Sequence, residues 1–261
     1  MSLFTQQKLK VMAESCARKI QEAVDGEEYF SEPYRHVVID NFFPSVLADA
    51  CMKYFPSMDH EGWEHTDDAD IEVKFRTNWK SEFDIPEGLV DAVRILNSAP
   101  LLTAIGTRLG IPKIISDPYF TGGGLNVTAN GGLLDVHIDG NYHDATGLNR
   151  RANAIVYLNP DWQAGWGGEF GIYDSAGQIC LKEVAPLFNR LVLFDSHDTS
   201  FHGLPAPLKF PAGNLRRSII LYFYTKENRP NEHVTVAEPH SALWKKRDLL
   251  DKRGNKTRNF S

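Results

Sequence analysis

RRSIILYFYT, residues 216–225, is an unbroken run of β-branched, aromatic and aliphatic residues opened by two arginines, and four earlier runs share its character: LNVT (125–128), ANAIVYL (152–158), EFGIY (169–173) and RLVLF (190–194). Each is short and bounded by glycine, proline or asparagine, the punctuation of strands joined by turns. No helical stretch alternates with them, which excludes a doubly wound parallel sheet and points to two packed antiparallel sheets. The expected fold is therefore mainly β with flanking helices: a sandwich or jelly roll carrying N-terminal helical additions.

Working outward from that block, helical periodicity dominates the first third of the chain. Leu9, Met12, Cys16, Ile20 and Ala23 recur at three- and four-residue steps and predict an amphipathic helix within residues 3–24. HVVID (36–40) reads as a strand, and SVLADACMKYF (45–55) as a helix with Ser45 as its cap. Two more helices are expected at 87–97 and 101–109, the second stopped by Gly110. The acidic stretch 57–72, with Trp63, His65 and Asp67 to Asp70, reads as a loop that forms either a lid or plain surface. The last thirty residues, with Lys245, Lys246, Arg247, Lys252, Arg253, Lys256 and Arg258, read as a helix followed by a loose tail. No repeat or linker divides the chain, so residues 1–261 are expected to form a single domain. Residues 1–112 make a helical N-terminal part with entry strands, 113–230 the core, and 231–261 a C-terminal extension.

Composition narrows the function classes. The 261 residues are 42% hydrophobic and 24% charged, ordinary values for a folded globular chain. A net charge of -6 argues against attraction to a phosphate backbone, so nucleic acid is not an expected partner. The longest apolar runs fall far short of the roughly 20 residues a membrane helix needs, and the charged N-terminus lacks a leader's apolar core. Neither a membrane partner nor secretion is expected. Cys16, Cys51 and Cys180 form no metal-type spacing and read as reduced thiols, which fits a cytoplasmic protein.

The chemistry is carried by VHIDG (136–140). His137 and Asp139 stand two residues apart, so an extended backbone turns both side chains to one face. His202, in SFHGLP (200–205), can join them if antiparallel pairing brings its segment alongside; His143 and His197 compete for that place on residue type alone. Two imidazoles and one carboxylate on one face of a metal leave positions open, the arrangement of non-haem Fe(II) oxygenases. A co-substrate carboxylate then needs a cation, for which an arginine's planar fork is best suited. Arg216 follows His202 and shares its strand face with Ser218, whereas Arg217 points to the other side.

With these residues in view, residues 125–230 resemble the prolyl-hydroxylase-type branch of the 2-oxoglutarate oxygenase superfamily. The likeness rests on the HID triplet, YLNPDW (157–162), GGEFGIY (167–173), HGLP followed by RRS, and the opening phrase VVIDNFFPSVLADACMKYFP (37–56). It covers most of residues 35–230. It implies a double-stranded β-helix (jelly roll) core and an enzyme, a dioxygenase that hydroxylates an unactivated C–H bond, of a prolyl or other amino-acid side chain, with release of succinate and CO2. His137, Asp139 and His202 would hold Fe(II), and Arg216 would hold the distal carboxylate of 2-oxoglutarate. Tyr157 falls where the family has a tyrosine on that same carboxylate, and Ser218 follows Arg216 on its face. The implied cofactors are Fe(II), 2-oxoglutarate and ascorbate, with dioxygen and a small-molecule or peptide substrate as partners. A carboxylate at 139, where halogenating relatives have a small residue, favours hydroxylation. The family's tyrosine upstream of the triplet is replaced here by LNVTAN (125–130), which holds Asn126 and Thr128. Arg150 and Arg151 are expected to be a solvated loop pair. The rival reading from another class is a cupin-like small-molecule or sugar binding module without redox activity, which needs no arginine after the distal histidine.

Overall fold

The computed structural model describes residues 2–255. Four α-helices lead the chain, interleaved with the first strands: α1 (Gln6–Gln21), α2 (Ser45–Lys53), α3 (Val90–Leu96) and α4 (Ala99–Leu109). The early strands are β1 (Tyr29–Phe30), β2 (His36–Ile39), β3 (Trp63–Asp68) and β4 (Glu72–Thr77). The β-rich half supplies β5 (Ile115–Ser116), β6 (Gly124–Thr128), β7 (Leu133–Leu134), β8 (His137–Ile138), β9 (Asn149–Tyr157) and β10 (Phe170–Tyr173). It continues with β11 (Cys180–Val184), β12 (Arg190–Asp195), β13 (His202–Gly203), β14 (Arg216–Thr225) and β15 (Leu243–Trp244). All ladders between these strands are antiparallel, in a major sheet ordered β1-β2-β12-β9-β14-β6-β4-β3 and a minor sheet ordered β11-β10-β13-β8-β15. Two facing antiparallel sheets of this order are the jelly roll that the runs of β-formers predict.

The apolar continuity of β9 and β14 has a direct cause, because both faces of the major sheet are covered. Ala152, Ala154 and Val156 on β9, with Ile219, Leu221 and Phe223 on β14, pack against Leu9, Cys16, Ile20, Leu101 and Ile105 of α1 and α4. The alternate residues Ile155 and Tyr157 turn inward and meet Phe170, Ile172 and Phe194 between the sheets. Each fully buried aliphatic or aromatic side chain contributes about 1.5–3 kcal/mol relative to exposure. The helices thus stiffen the sheet that carries Arg216 on its inner face. Thr5 caps α1 by accepting from the Lys8 amide, and Gly110 closes α4 in the left-handed conformation.

Three local expectations are corrected. Residues 57–72 are not a loop throughout: Trp63–Asp68 pairs with Glu72–Thr77 as a hairpin that forms the outer edge of the major sheet. Its acidic residues alternate with Trp63 and His65, which stack on Phe55 and Phe75, so a strand was hidden under the charge. Pro44, not Ser45, occupies the cap of α2, and no side chain caps it. Finally, residues 231–255 hold two single 3-10 turns and β15 in place of a helix. Lys256 and Arg258 lie outside the described residues.

Candidate metal centre

The minor sheet assembles the cluster. His202 of β13 stands directly opposite His137 of β8, so the two rings lie with centroids 4.3 Å apart. Asp139 follows one residue past the end of β8, and its oxygens lie 3.8 Å from His137 Nε2 and 3.5 Å from His202 Nε2. The three ligand atoms fall within 4.8 Å of one another, and all three residues are buried. Gly203 permits this approach: a Cβ there would come within 2.9 Å of the Asp135 carbonyl oxygen and 3.0 Å of that of Leu134.

Both rings are oriented by a backbone carbonyl. His137 Nδ1 lies 2.8 Å from Asp135 O, and His202 Nδ1 lies 2.9 Å from Ser200 O. A carbonyl only accepts, so each Nδ1 carries the proton and each Nε2 presents a lone pair to the other ligands. Burial, reinforced by the neighbouring His202, pushes His137 down to about 3 and keeps it neutral. Burial alone would raise Asp139, but His202, Arg150, His137 and the Asn153 amide together hold its carboxyl well below the usual range. The result is one fixed carboxylate and two imidazoles oriented toward it, the donor set that suits a divalent first-row metal.

Arg216 lines the same cavity and is 8% exposed. Its Nε donates to Gly168 O at 2.7 Å, and its Nη2 donates to the Tyr157 hydroxyl at 3.2 Å. Gly168 has φ +85°, and a Cβ there would lie 2.9 Å from Arg216 Cδ, so the double glycine is what lets the guanidinium approach. Tyr157 is fully buried; burial pushes its phenol up despite the opposing pull of Arg216, so it keeps its proton. Ser218 pairs opposite Tyr157 and its Oγ has no hydrogen-bond partner. Arg217, on the other side of β14, is half-buried, with its guanidinium over Phe55. Thr128 and Asn126 lie opposite Arg216 and Ser218 on β6, both buried.

The competing histidines lie elsewhere. His143 Nε2 is 2.9 Å from Asp117, and His197 stacks on His233 beside Asp195. That second cluster is held by cations: Arg35 and Arg151 approach the two Asp195 oxygens at 2.5 and 4.0 Å. Of the acidic stretch 57–72 Glu72 lines the cavity, joined by Lys74 and Arg76 farther along the second strand of the hairpin.

Two residues of the site escaped the sequence reading. Arg150 is not a solvated loop residue: it is half-buried on β9, 3.7 Å from Asp139, and lies over the Tyr222 ring at 3.9 Å. Its facing is set by a bulge, since Phe223 pairs with Ala152 but Tyr224 pairs with Arg150, leaving Arg151 as the extra residue. Simple alternation would have aimed Arg151 inward. Asn153 donates through Nδ2 to Asp139 Oδ2, orienting the carboxylate. A lone asparagine inside ANAIVYL was the available signal.

Comparison with known proteins agrees with this geometry. Residues 123–224 match the sequence profile of the 2OG-Fe(II) oxygenase superfamily. Prolyl 3-hydroxylase OGFOD1 of Xenopus laevis is 33% identical over 106 residues, covering 38% of this chain. The chain spans about a fifth of that relative's length, 20%. Among solved structures, a Trichoplax adhaerens prolyl hydroxylase in complex with a hypoxia inducible factor peptide fragment superposes with TM-score 0.58. It is 17% identical and the match covers 85% of this chain and 94% of that one. A Pseudomonas putida prolyl-4-hydroxylase gives TM-score 0.55 at 19% identity, covering 82% of this chain and 98% of that one. With the profile match on the β-rich core and the matching jelly roll around it, residues 123–224 are similar to the 2OG-Fe(II) oxygenase superfamily, and the chain has the fold of the prolyl hydroxylases it superposes on.

Proposed function

We propose that this chain hydroxylates an unactivated C–H bond of a prolyl or other amino-acid side chain, using Fe(II), 2-oxoglutarate and dioxygen and releasing succinate and CO2. The observation that carries the reading is the meeting of two Nε2 lone pairs and one carboxylate at a single point, in a cavity of about 650 Å³ that also contains a buried arginine. The residues present fit the groups the superfamily uses. His137, Asp139 and His202 would hold Fe(II), and Arg216 with Tyr157 would hold the distal carboxylate of 2-oxoglutarate. When bound, the metal and co-substrate supply the oxidising chemistry that dioxygen alone does not deliver to a C–H bond.

The protein's own groups do the rest. Arg216, fixed at Nε and Nη2, presents a charged fork whose orientation costs no further entropy on binding. The Tyr157 hydroxyl accepts from Arg216 and retains a proton to donate to the same ligand oxygen. Asn153 and Arg150 hold Asp139 in place, one by a hydrogen bond and the other by charge. Phe170, Phe194, Leu204 and Ile220 give the cavity an apolar wall that excludes water from the reacting groups. Asp139 occupies the position that a halogenase leaves open, which supports hydroxylation. The similarity to a prolyl 3-hydroxylase and to a prolyl hydroxylase in complex with a peptide supports a prolyl residue, free or in a peptide, as substrate. The three unpaired cysteines suit a reducing, cytoplasmic setting.

Anaerobic addition of Fe(II) and then 2-oxoglutarate is expected to give a visible charge-transfer band. Aerobic incubation should then form succinate, and free amino acids, proline-containing peptides and carbohydrate precursors are screened for stimulation. A cupin-like binder would show neither signal. Absence of the band in folded protein would end the proposal.

A further inference from the structure

The residues after the matched core return to the site. Beyond Thr225 the chain turns back, and β15 adds to the free edge of β8, with Leu243 opposite Ile138 and Trp244 opposite His137. Lys245 donates its amide to Val136 O at 2.9 Å, Asn141 receives the His240 amide at 2.8 Å, and Gly140 leaves no room for a Cβ beneath the His240 carbonyl, 2.8 Å away. Farther along, Arg247 bonds Asp68 at 2.7 Å and Lys252 pairs with Glu72, tying the segment to the hairpin edge of the major sheet. His240, Ser241, Ala242, Trp244 and Lys252 all line the cavity. This strap lies outside the residues that match the superfamily profile.

Trp244 is its functional point. The indole is 3% exposed and stacks on the His137 imidazole, with centroids 4.5 Å apart and planes 25° from parallel. His202 packs against the same ring at 4.3 Å. The strap also grips the residue that orients His137: the Lys246 amide donates to Asp135 Oδ2 at 2.9 Å, and the Asp135 carbonyl receives His137 Nδ1. An imidazole's second torsion is broad, so one hydrogen bond at Nδ1 leaves the ring free to rock about that bond. A flat indole against its face removes that freedom.

We propose that residues 236–252 form a built-in wall of the active site and that Trp244 is a positioning residue, setting the plane in which His137 offers Nε2 to the metal. The proposal rests on the reading of His137, Asp139 and His202 as metal ligands. Groups that orient a ligating imidazole typically change metal affinity by roughly 10–100-fold when removed. Leucine at 244 keeps an apolar filler but loses the aromatic face, whereas phenylalanine keeps the face.

The test titrates Co(II) into the metal-free 261-residue chain, followed by its visible absorption, and repeats the titration with Fe(II) and 2-oxoglutarate under anaerobic conditions. Melting temperatures of the metal-free forms are measured beside it. Trp244→Leu is expected to weaken Co(II) binding about 10–100-fold and shift the charge-transfer band, and Trp244→Phe to stay within about threefold of wild type. Arg247→Ala, which releases the strap at a part-exposed ion pair, should weaken Co(II) about threefold, and decides the case if the leucine variant does not fold. Unchanged affinity in Arg247→Ala and in folded Trp244→Leu overturns the proposal, as does equal weakening by leucine and phenylalanine. Wild-type protein that binds neither Co(II) nor Fe(II) with 2-oxoglutarate overturns the function itself, a different failure.

Discussion

Replacing Arg216 with alanine removes a guanidinium that the structure has already aimed. The side chain is buried, with Nε on Gly168 O and Nη2 on the Tyr157 hydroxyl, and it supplies the positive charge on this stretch of the cavity wall. A hydrogen bond to a charged group contributes about 1.5–3 kcal/mol, and a planar fork facing a carboxylate makes two. Leaving a bound carboxylate without its cation therefore costs roughly 3–5 kcal/mol, the range found when one partner of a buried ion pair is removed. At about 1.4 kcal/mol per decade, the dissociation constant for 2-oxoglutarate should rise by roughly two to three and a half decades. Arg216→Lys should recover only part of this, because an ammonium restores charge without the fork. Arg217→Ala, on the opposite face against Phe55, should stay within about threefold of wild type. The assay is anaerobic titration of 2-oxoglutarate at saturating Fe(II), read by the charge-transfer band, with calorimetry on the Mn(II)-loaded protein as a check. If Arg216→Ala binds the co-substrate like wild type, or Arg217→Ala is the variant that loses it, the assignment of faces on β14 is wrong.

Three further outcomes follow from the same geometry. Burial first of all holds His36 near about 4 and His137 and His197 near about 3, whereas an unfolded histidine titrates near 6.5. Below that value the unfolded chain binds protons the folded one refuses, so stability is full above pH 6.5 and falls on acidification. The slope is up to about 4 kcal/mol per pH unit for the three together between roughly pH 6 and 4. Urea midpoints of metal-free protein that stay level from pH 7 to 5 would contradict this. Asn153→Ala removes the amide that orients Asp139 and should weaken metal binding roughly tenfold or more by Co(II) titration, with Asn153→Asp no substitute because it sets two carboxylates together. His202→Ala should abolish metal binding while His197→Ala spares it; the opposite pattern in folded proteins would relocate the centre.

The strand content, the shared face of His137 and Asp139 and the opposite facing of Arg216 and Arg217 are legible because each depends on spacing within one short segment, where the two-residue period of a strand is decisive, whereas Tyr157 came from the likeness to a known family. The likeness to a known family added His202. What spacing does not carry is the relation between segments. The bulge at Arg151 shifted the alternation by one residue and sent Arg150, not its neighbour, to Asp139. The hairpin at 63–77 was masked by acidic residues on its solvent side, and the C-terminal strap by a basic composition that suggested a solvated helix and tail.

By itself, then, the amino-acid order determined the fold class and the chemical identity of the cluster, since both follow from side-chain type and local period. Tertiary structure alone decided that the strands of His202 and His137 pair in register, which arginine stands beside the carboxylate, and that an indole far along the chain closes against the ring. Those are matters of register and edge pairing between distant strands, which depend on how each sheet closes and not on any one stretch of residues.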